Sequence, residues 1–138
     1  MDLSFQITRK LLRFSNHVVN MRSERLRMLD LTTVQSETLM YFCRNEGANA
    51  TDLKNYLNVS HQAARSIVSR LKEKGLLYSS ASDKDGRNRS IYPTDEGKRV
   101  YQSLVNDGSS AGEELLGALS DEEKEILNRL IDKLNAGF

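Results

Sequence analysis

The chain has 138 residues, of which 38% are hydrophobic and 28% charged, with a net charge of +1, so its length suits one domain with one hydrophobic core. Its apolar runs are too short to span a membrane and its N-terminus lacks the apolar core of a signal peptide, so we expect a cytoplasmic protein with no membrane partner. One cysteine and two distant histidines exclude an internal disulfide and a zinc site, and we expect no metal or other cofactor.

The first predicted element is a long helix over residues 3–29. Apolar side chains recur along it at spacings of three, four and seven residues, which is typical of a helix with one apolar face. That face carries Ile7, Leu11, Phe14, Val18, Met21 and Met28. Because the stripe is long, the helix is predicted to pack against an equally long partner surface.

A second helix is predicted to start at Thr32 and to end at Gly47. Thr32 and Gln35 have the spacing of a capping box, in which each side chain accepts a hydrogen bond from the backbone N–H group of the other residue. Gly47 can take the left-handed conformation that ends a helix. Cys43 lies on or near the apolar face, and we expect a buried structural thiol rather than a redox sensor.

Two shorter helices follow, joined by a tight turn. Residues 48–50 could form a single β-bridge, and Thr51 is predicted to cap the first of these helices. Ser60 is predicted to cap the second, which runs to about Lys74 and stops at Gly75. Apolar residues at helical spacing mark its buried face: Ala64, Ile67, Val68 and Leu71.

A polar turn then separates two short runs of strand-forming residues, 76–80 and 90–92. These runs are predicted to pair as a hairpin, with an Asp-Gly dipeptide at the turn. The second strand is predicted to end at Tyr92, because Pro93 has no N–H group to donate to the hairpin ladder.

Two further helices complete the predicted order. Thr94 is expected to cap the fifth helix, and the sequence leaves open whether the Gly- and Ser-rich segment 107–112 kinks or interrupts it. Ser120 and Glu123 form another capping box before a last helix with one apolar side. The predicted fold class is therefore mainly α with a small β-hairpin wing.

The unit from Thr51 to Tyr92, two helices and a hairpin, suits binding to a DNA duplex. An α-helix fits the major groove when its outward side carries groups that bond base edges. The outward side of the fourth helix has no acidic residue in its first three turns. It offers Arg65 for guanine, Gln62 for adenine and Ala63 for a thymine methyl group.

The charge distribution agrees with a nucleic-acid partner. Residues 61–91 carry seven Lys or Arg residues against three acids, whereas residues 92–138 carry five against ten. A polyanion is therefore attracted to the middle of the chain. The residues that we predict to contact DNA are Thr51, Ser60, His61, Gln62, Ala63, Arg65, Ser66, Ser69, Arg70, Arg87 and Arg89.

Several of these residues have a second interpretation that needs no DNA. Thr51 could be a plain helix cap, His61 a spectator rather than a neighbour of a phosphate, and Arg70 a partner in an internal ion pair. The hairpin tip could be a solvated charged turn. In the DNA interpretation, Arg87 enters a narrow minor groove and is held extended by one of the two aspartates of the turn.

Five short segments together resemble one known family, the MarR (multiple antibiotic resistance regulator) transcription factors. Each segment alone is weak, but all five occur in order and at the expected spacing. They are Leu31-Thr32-x-x-Gln35-x-x-x-Leu39, Leu57-x-Val59-Ser60, Arg70-Leu71-x-x-Lys74-Gly75-Leu76, Asp83-x-Asp85-Gly86-Arg87 and Thr94-x-x-Gly97.

The resemblance implies a winged helix-turn-helix protein that forms a homodimer on a pseudo-palindromic DNA site. Residues 1–30 and 95–138 would form the helical dimerisation region, and residues 31–94 the DNA-binding region. The fourth helix would be the recognition helix, and Arg87 would be the arginine at the wing tip. Asp85, also part of the DNA-binding site, would be the acidic residue that supports Arg87. An aromatic or anionic effector would lie between these regions. Arg13 and His17, one turn apart on the first helix, are the candidate residues for contacting it.

The chain departs from the family pattern in three places. Tyr78-Ser79 stands where a basic residue usually follows in the first strand, and Pro93-Thr94 stands where Leu-Thr is usual. Residues 14–19 also lack the reactive cysteine of the redox-sensing branch, so the signal is not expected to be an oxidant.

The leading functional expectation is a dimeric repressor that a small ligand releases from DNA. The alternative is a winged-helix adaptor or antirepressor that binds protein, with the acidic C-terminal part as its partner surface. An enzyme is not expected, because the sequence has no phosphate-binding glycine loop, no paired nucleophile and base, and no metal-ligand spacing.

Overall fold

A computed structural model describes residues 1–80 and 89–138 of the chain. Within these residues the fold is mainly α-helical with one two-stranded antiparallel sheet, as predicted. The elements are α1 (Leu3–Met28), α2 (Thr33–Arg44), α3 (Ala50–Leu57), α4 (His61–Glu73), β1 (Leu77–Ser79), β2 (Ile91–Pro93), α5 (Asp95–Leu115) and α6 (Asp121–Asn135). None of the described helices combines the length and apolarity needed to cross a membrane.

Four predicted helix starts are confirmed by side-chain caps. Thr32, Ser60, Thr94 and Ser120 each accept a hydrogen bond from the backbone N–H group three residues later. These bonds satisfy N–H groups that have no partner within the helix, so they fix where each helix begins.

The predicted cap of α3 is wrong. Asn49, and not Thr51, is the N-cap: its side chain accepts from the Asp52 N–H group at 2.9 Å, and the Asp52 carboxylate accepts from the Asn49 N–H group at the same distance. The pair forms a complete capping box and starts the helix at Ala50. Thr51 therefore lies inside the first turn.

The predicted end of the second strand is also wrong, because β2 includes Pro93. Pro93 lies opposite Leu77, and the backbone hydrogen bonds on this edge are made by its neighbours, for example from the Thr94 N–H group to the Leu76 carbonyl at 3.0 Å. Antiparallel strands alternate hydrogen-bonded and non-hydrogen-bonded pairs. Pro93 occupies a non-hydrogen-bonded position, where its missing N–H group costs this ladder nothing.

The segment before α3 joins the sheet without forming a strand. The Gly47 N–H group donates to the Ile91 carbonyl at 3.0 Å, and the Ile91 N–H group donates to the Ala48 carbonyl at 2.8 Å. Residues 48–50 therefore do not form the β-bridge that the sequence suggested, since Ala50 already begins α3, and the pairing with Ile91 lies at Gly47 and Ala48. It fixes the wing to the end of α2.

The hydrophobic core lies between α2, α3, α4 and the hairpin. Its members are Leu31, Leu39, Phe42, Leu53, Ala64, Val68, Leu71, Leu76, Leu77 and Ile91. The turn between α3 and α4 is tight because Asn58 takes a left-handed conformation with φ of 56°. The core thus holds α4 with its opposite side facing solvent.

The three long helices outside this core contribute little to it. In α1 only Leu26 is buried, in α5 only Gly97, and in α6 no residue is buried. The glycine- and serine-rich segment 107–112 does not break α5, which is continuous to Leu115. The apolar stripes predicted on α1 and α6 are present but exposed in the single chain.

Candidate nucleic-acid interface

The outward face of α4 is the polar surface that the sequence predicted. Ala64, Val68 and Leu71 anchor the helix in the core, with at most 5% of their surface exposed. The residues predicted to read DNA lie on the other side: His61, Gln62, Arg65, Ser66, Ser69 and Arg70 are exposed, and Ala63 is half-buried. Ser60 heads the helix, and its hydroxyl oxygen accepts from the Ala63 N–H group at 3.1 Å.

A cleft separates α4 from the hairpin, and we call it the wing cleft. It has a volume of about 150 Å³ and is lined by Ala50, Arg65, Val68, Ser69, Lys72, Ser79, Arg89 and Ile91. Three predicted DNA contacts, Arg65, Ser69 and Arg89, therefore meet at one place although Arg89 is distant from the other two in sequence. The cleft brings together one face of a helix and one edge of the wing.

Lys72 is a member of this cleft that the sequence analysis missed. It contributed to the count of basic residues but was not assigned to the interface. The sequence did contain a pattern that indicates it: positions 65, 69 and 72 are four and three residues apart, so their side chains share one side of a helix. Within residues 1–80 and 89–138, neither Arg65 nor Lys72 has an ion-pair partner.

Arg70 lies away from the wing cleft. It borders a polar hollow on the other flank of α4, together with Arg27, Thr33 and Lys74. Its guanidinium is 3.5 Å from the Glu73 carboxylate, and both side chains are well exposed. The ion-pair interpretation of Arg70 is therefore observed, while a phosphate contact from this flank remains a prediction.

The remaining predicted DNA contacts, Thr51, Asp85 and Arg87, belong to segments of the chain other than α4. Thr51 is half-buried in the first turn of α3, beside the Asp52 carboxylate that caps it. The Asp52 carboxylate accepts from the Asn49 N–H group and places a negative charge at this helix N-terminus, which disfavours a phosphate there. A DNA contact by Thr51 remains a prediction. Asp85 and Arg87 lie outside the described residues.

A second hollow, more apolar, lies between α1, α2 and α5. Its volume is about 310 Å³, and apolar side chains form much of its wall: Val18, Leu26, Met40, Leu104, Ala111 and Leu115. Arg22 pairs with Glu37 across α1 and α2, and Arg25 donates to the Asp107 carbonyl at 2.9 Å. Both arginines line the hollow while they join α1 to its neighbours.

The two predicted ligand contacts lie elsewhere on α1. His17 borders a shallow groove with Phe14, Met21 and Glu114. Arg13 is exposed one turn before it. Neither residue lines the apolar hollow, so their predicted role as ligand contacts depends on a surface that the single chain does not enclose.

Cys43 is half-buried on α2 and packs against the core, so it is less buried than expected. Burial raises the pKa of its thiol to about 11, and the neighbouring Glu46 carboxylate adds to this effect. The thiol is therefore protonated near neutral pH and poorly reactive, which agrees with the structural role predicted for it.

Comparison with known proteins agrees with this geometry. The sequence model of the MarR family matches residues 29–88, which contain α2, α3, α4 and β1. The transcriptional regulator HosA of Escherichia coli is 26% identical over 121 residues, which cover 88% of this chain and 87% of HosA.

Solved structures share the fold at lower identity. Streptococcus pneumoniae FabT in complex with DNA superposes with a TM-score of 0.85 at 17% identity, covering 96% of this chain and 95% of FabT. A Mycobacterium tuberculosis MarR family protein in complex with salicylic acid superposes with a TM-score of 0.70 at 21% identity, covering 97% and 96%. Residues 29–88 thus match the MarR family, and nearly the whole chain shares the fold of a solved MarR family protein and the length of a transcriptional regulator to which it is similar.

Proposed function

We propose that this protein is a cytoplasmic, homodimeric repressor that binds a pseudo-palindromic DNA site and is released from it by a small aromatic or anionic ligand. The observation that carries the proposal is the outward face of α4, which is polar, free of acids over its first three turns and continuous with the basic wing cleft. Such a face fits the major groove and is attracted to the phosphates that border it.

In this proposal the residues of α4 divide into two kinds of contact. Gln62, Arg65 and Ser66 project from the first turns and supply base contacts, while Ser60 and His61 lie at the helix start, near a phosphate. Arg87 and Asp85 keep the wing-tip roles expected from the sequence. The DNA-bound FabT neighbour supports this docking for the fold, without specifying the bases read by this chain.

The homodimer is proposed from the helices outside the core. Residues 1–30 and 95–138 carry large exposed apolar side chains on α1 and α6, including Phe5, Leu12, Leu130 and Leu134. Apolar surface of this extent on helices is typical of an interface between subunits. Two copies joined there would present two α4 helices to one face of a duplex.

The apolar hollow between α1, α2 and α5 is the proposed effector site. It joins helices of the proposed dimerisation region to α2 of the DNA-binding region. A ligand lowers DNA affinity only if it binds better to a dimer geometry that does not fit the DNA. The neighbour that holds salicylic acid supports an aromatic acid as the ligand class, and Arg13 and His17 are proposed to contact ligand only where two subunits meet.

Substitution of Arg65 by Gln tests the DNA-binding proposal most simply. The exposed side chain makes no ion pair in the described structure, so the variant is expected to fold normally. Removing a bidentate contact to guanine is expected to cost about 1–3 kcal/mol for the preferred site and little for random duplexes. Fluorescence anisotropy with both duplexes measures this, and a protein-binding adaptor would bind neither duplex at low salt.

A further inference from the structure

A short turn, residues 29–32, joins α1 to α2, and its backbone is fixed to the end of α1. Asp30 takes a left-handed conformation with φ of 54°, and its N–H group donates to the Arg27 carbonyl at 3.1 Å. The Leu31 N–H group donates to the Leu26 carbonyl at the same distance, and both leucine side chains are buried. These paired bonds are those of a Schellman motif, so the turn moves with α1 as one body.

Lys74, the residue that ends α4, holds both sides of this turn. Its ammonium group donates to the Asp30 carbonyl on the α1 side and to the Gln35 side-chain oxygen on the α2 side, the latter at 2.9 Å. The same Gln35 oxygen accepts from the Thr32 N–H group at 3.2 Å, so Lys74 also bonds the capping box that begins α2. Among residues 1–80 and 89–138, no side chain within α4 forms a hydrogen bond or an ion pair with α1 or with this turn.

The low exposure of Lys74 indicates that its charge serves these internal acceptors. Its side chain is 26% exposed, against 65% for Arg70, which lies one turn earlier. Arg27 and Arg70 border the same polar hollow, and two like charges disfavour a third cation there. The Asp30 carboxylate lies 3.8 Å from the ammonium group and is almost fully exposed, so it compensates them only weakly. The hydrogen bonds to the turn are therefore what holds the Lys74 side chain in place.

The end of α4 is also attached to α5. The Thr94 hydroxyl, which caps α5, donates to the Gly75 carbonyl at 2.6 Å. Consecutive residues, Lys74 and Gly75, thus attach this end of α4 to the two helices that leave the DNA-binding region. The residues proposed to contact bases lie at the other end of α4, which has 13 residues and is about 20 Å long. A rotation of roughly 5° about the attached end would move the first turn of α4 by about 1.7 Å.

We propose that Lys74 is a positioning residue that fixes the distance between the two α4 helices of the dimer, and so determines the half-site spacing that the protein accepts. This inference rests on the dimeric DNA binding proposed above. Lys74 contacts no base in this proposal, and acts by holding α4 to the end of α1. The choice of bases within each half-site stays with the outward face of α4.

The test measures the binding of Lys74→Met to three duplexes: the preferred site, and the same site with one base pair added or removed between its half-sites. Methionine keeps the apolar stem of lysine but cannot donate the hydrogen bonds to the turn. The variant is expected to lose about tenfold in affinity for the preferred spacing, a size typical of substitutions that act through coupling, and little for the altered spacings. Lys74→Arg keeps the charge and the donors, so it is expected to retain the wild-type spacing preference.

Lys98→Met is the matched control, because Lys98 makes an exposed ion pair with Glu46 at 3.6 Å and has no contact with the turn. Such a pair contributes little, so this variant is expected to keep the spacing preference. An equal loss of affinity on all three duplexes would overturn the inference, because it indicates a lower folded fraction or a lost phosphate contact. The latter also lowers the slope of log affinity against log salt by about 1.8 for a symmetric dimer.

A wild-type spacing preference in Lys74→Met, or its loss in Lys74→Arg, would also overturn the positioning role while the DNA-binding function stands. If the wild-type protein binds no duplex, the proposed function is wrong and this inference is wrong with it.

Discussion

At the level of single residues, Gly97 shows how tightly α5 is joined to the hairpin. A Cβ atom on Gly97 would lie 2.1 Å from the Leu76 carbonyl oxygen, which is backbone and cannot rotate away. The same carbonyl accepts from the Thr94 N–H group, and the Thr94 hydroxyl donates to the Gly75 carbonyl at 2.6 Å. The missing side chain lets the first turn of α5 lie directly against the start of β1.

Gly97→Ala is therefore expected to lower the free energy of unfolding by about 2 kcal/mol or more, because the backbone must move to relieve the overlap. Gly108→Ala is the control within the same helix, since no atom lies within 4 Å of its Cβ position. That substitution is expected to be neutral or to stabilise by roughly 0.5–1 kcal/mol. Urea denaturation measures both, and equal effects of the two would contradict the close contact.

The raised pKa of Cys43 predicts how its thiol reacts. In the folded protein the thiol titrates near 11 rather than near 9.0, so at pH 8 it reacts with iodoacetamide more slowly than after unfolding in urea. Between pH 9 and pH 11 the thiol stays protonated in the folded protein but ionises in the unfolded chain. Its favourable contribution to the free energy of unfolding is therefore complete below about pH 9 and is lost as the pH rises towards 11. Equal alkylation rates in the folded and unfolded states would contradict the prediction.

Capping residues were the most predictable feature at this scale, because a cap acts on its own first turn. The prediction for α3 failed because Asn49 and Thr51 are both good cap residues and lie two positions apart. Asp52 decides between them: it lies three residues after Asn49 and completes the capping box there. The signal was present in the sequence and was assigned to the wrong residue.

At the level of elements, the corrected start of α3 gives a direct prediction. Asn49→Ala removes the side-chain acceptor for the Asp52 N–H group and is expected to cost about 1 kcal/mol of stability. Thr51→Ala is the control, and its expected cost is smaller than about 0.5 kcal/mol, because alanine has the higher helix propensity. Thermal or urea unfolding of both variants measures the difference, and a larger cost at Thr51 would restore the original assignment.

The other differences between the predicted and the observed elements depend on contacts between residues that are distant in sequence. Pro93 could not be assigned to β2 from the sequence, because its compatibility depends on the register with β1. In α5, which is continuous through the glycine- and serine-rich segment, the Asp107 carbonyl accepts a hydrogen bond from Arg25 of α1, a contact that the sequence does not show. Lys72 could not be joined to Arg89 from spacing alone, since only the folded hairpin brings them to one cleft.

At the level of the whole molecule, the fold class was predictable because helix periodicity, caps and turn residues all indicate the same order of elements. The sequence also located the outward polar face of α4, which is the proposed DNA-binding face, since amphipathic spacing separates the buried and outward sides of this helix. The apolar stripes of α1 and α6, which the resemblance assigned to a dimerisation region, are exposed in one chain. That exposure is the main support for a dimer.

Leu130→Glu tests the proposed dimer. Leu130 is 51% exposed on α6, and a charge placed there would be buried against the second subunit. We expect the variant to sediment as a monomer at concentrations where the wild type is a dimer. Asn128→Glu adds the same charge to the other side of α6 and is expected to leave the dimer intact, so dissociation by both variants, or by neither, would argue against this interface.

The central claim is that two copies of this chain read a symmetric duplex through α4. Selection of bound duplexes from a random pool tests it most directly. The account predicts enrichment of a pseudo-palindrome whose half-sites are separated by about one helical turn, roughly 34 Å, or a multiple of it. The Arg65→Gln variant should lose this enrichment. Failure of the wild-type protein to enrich any sequence, or enrichment of a single asymmetric site, would contradict the claim.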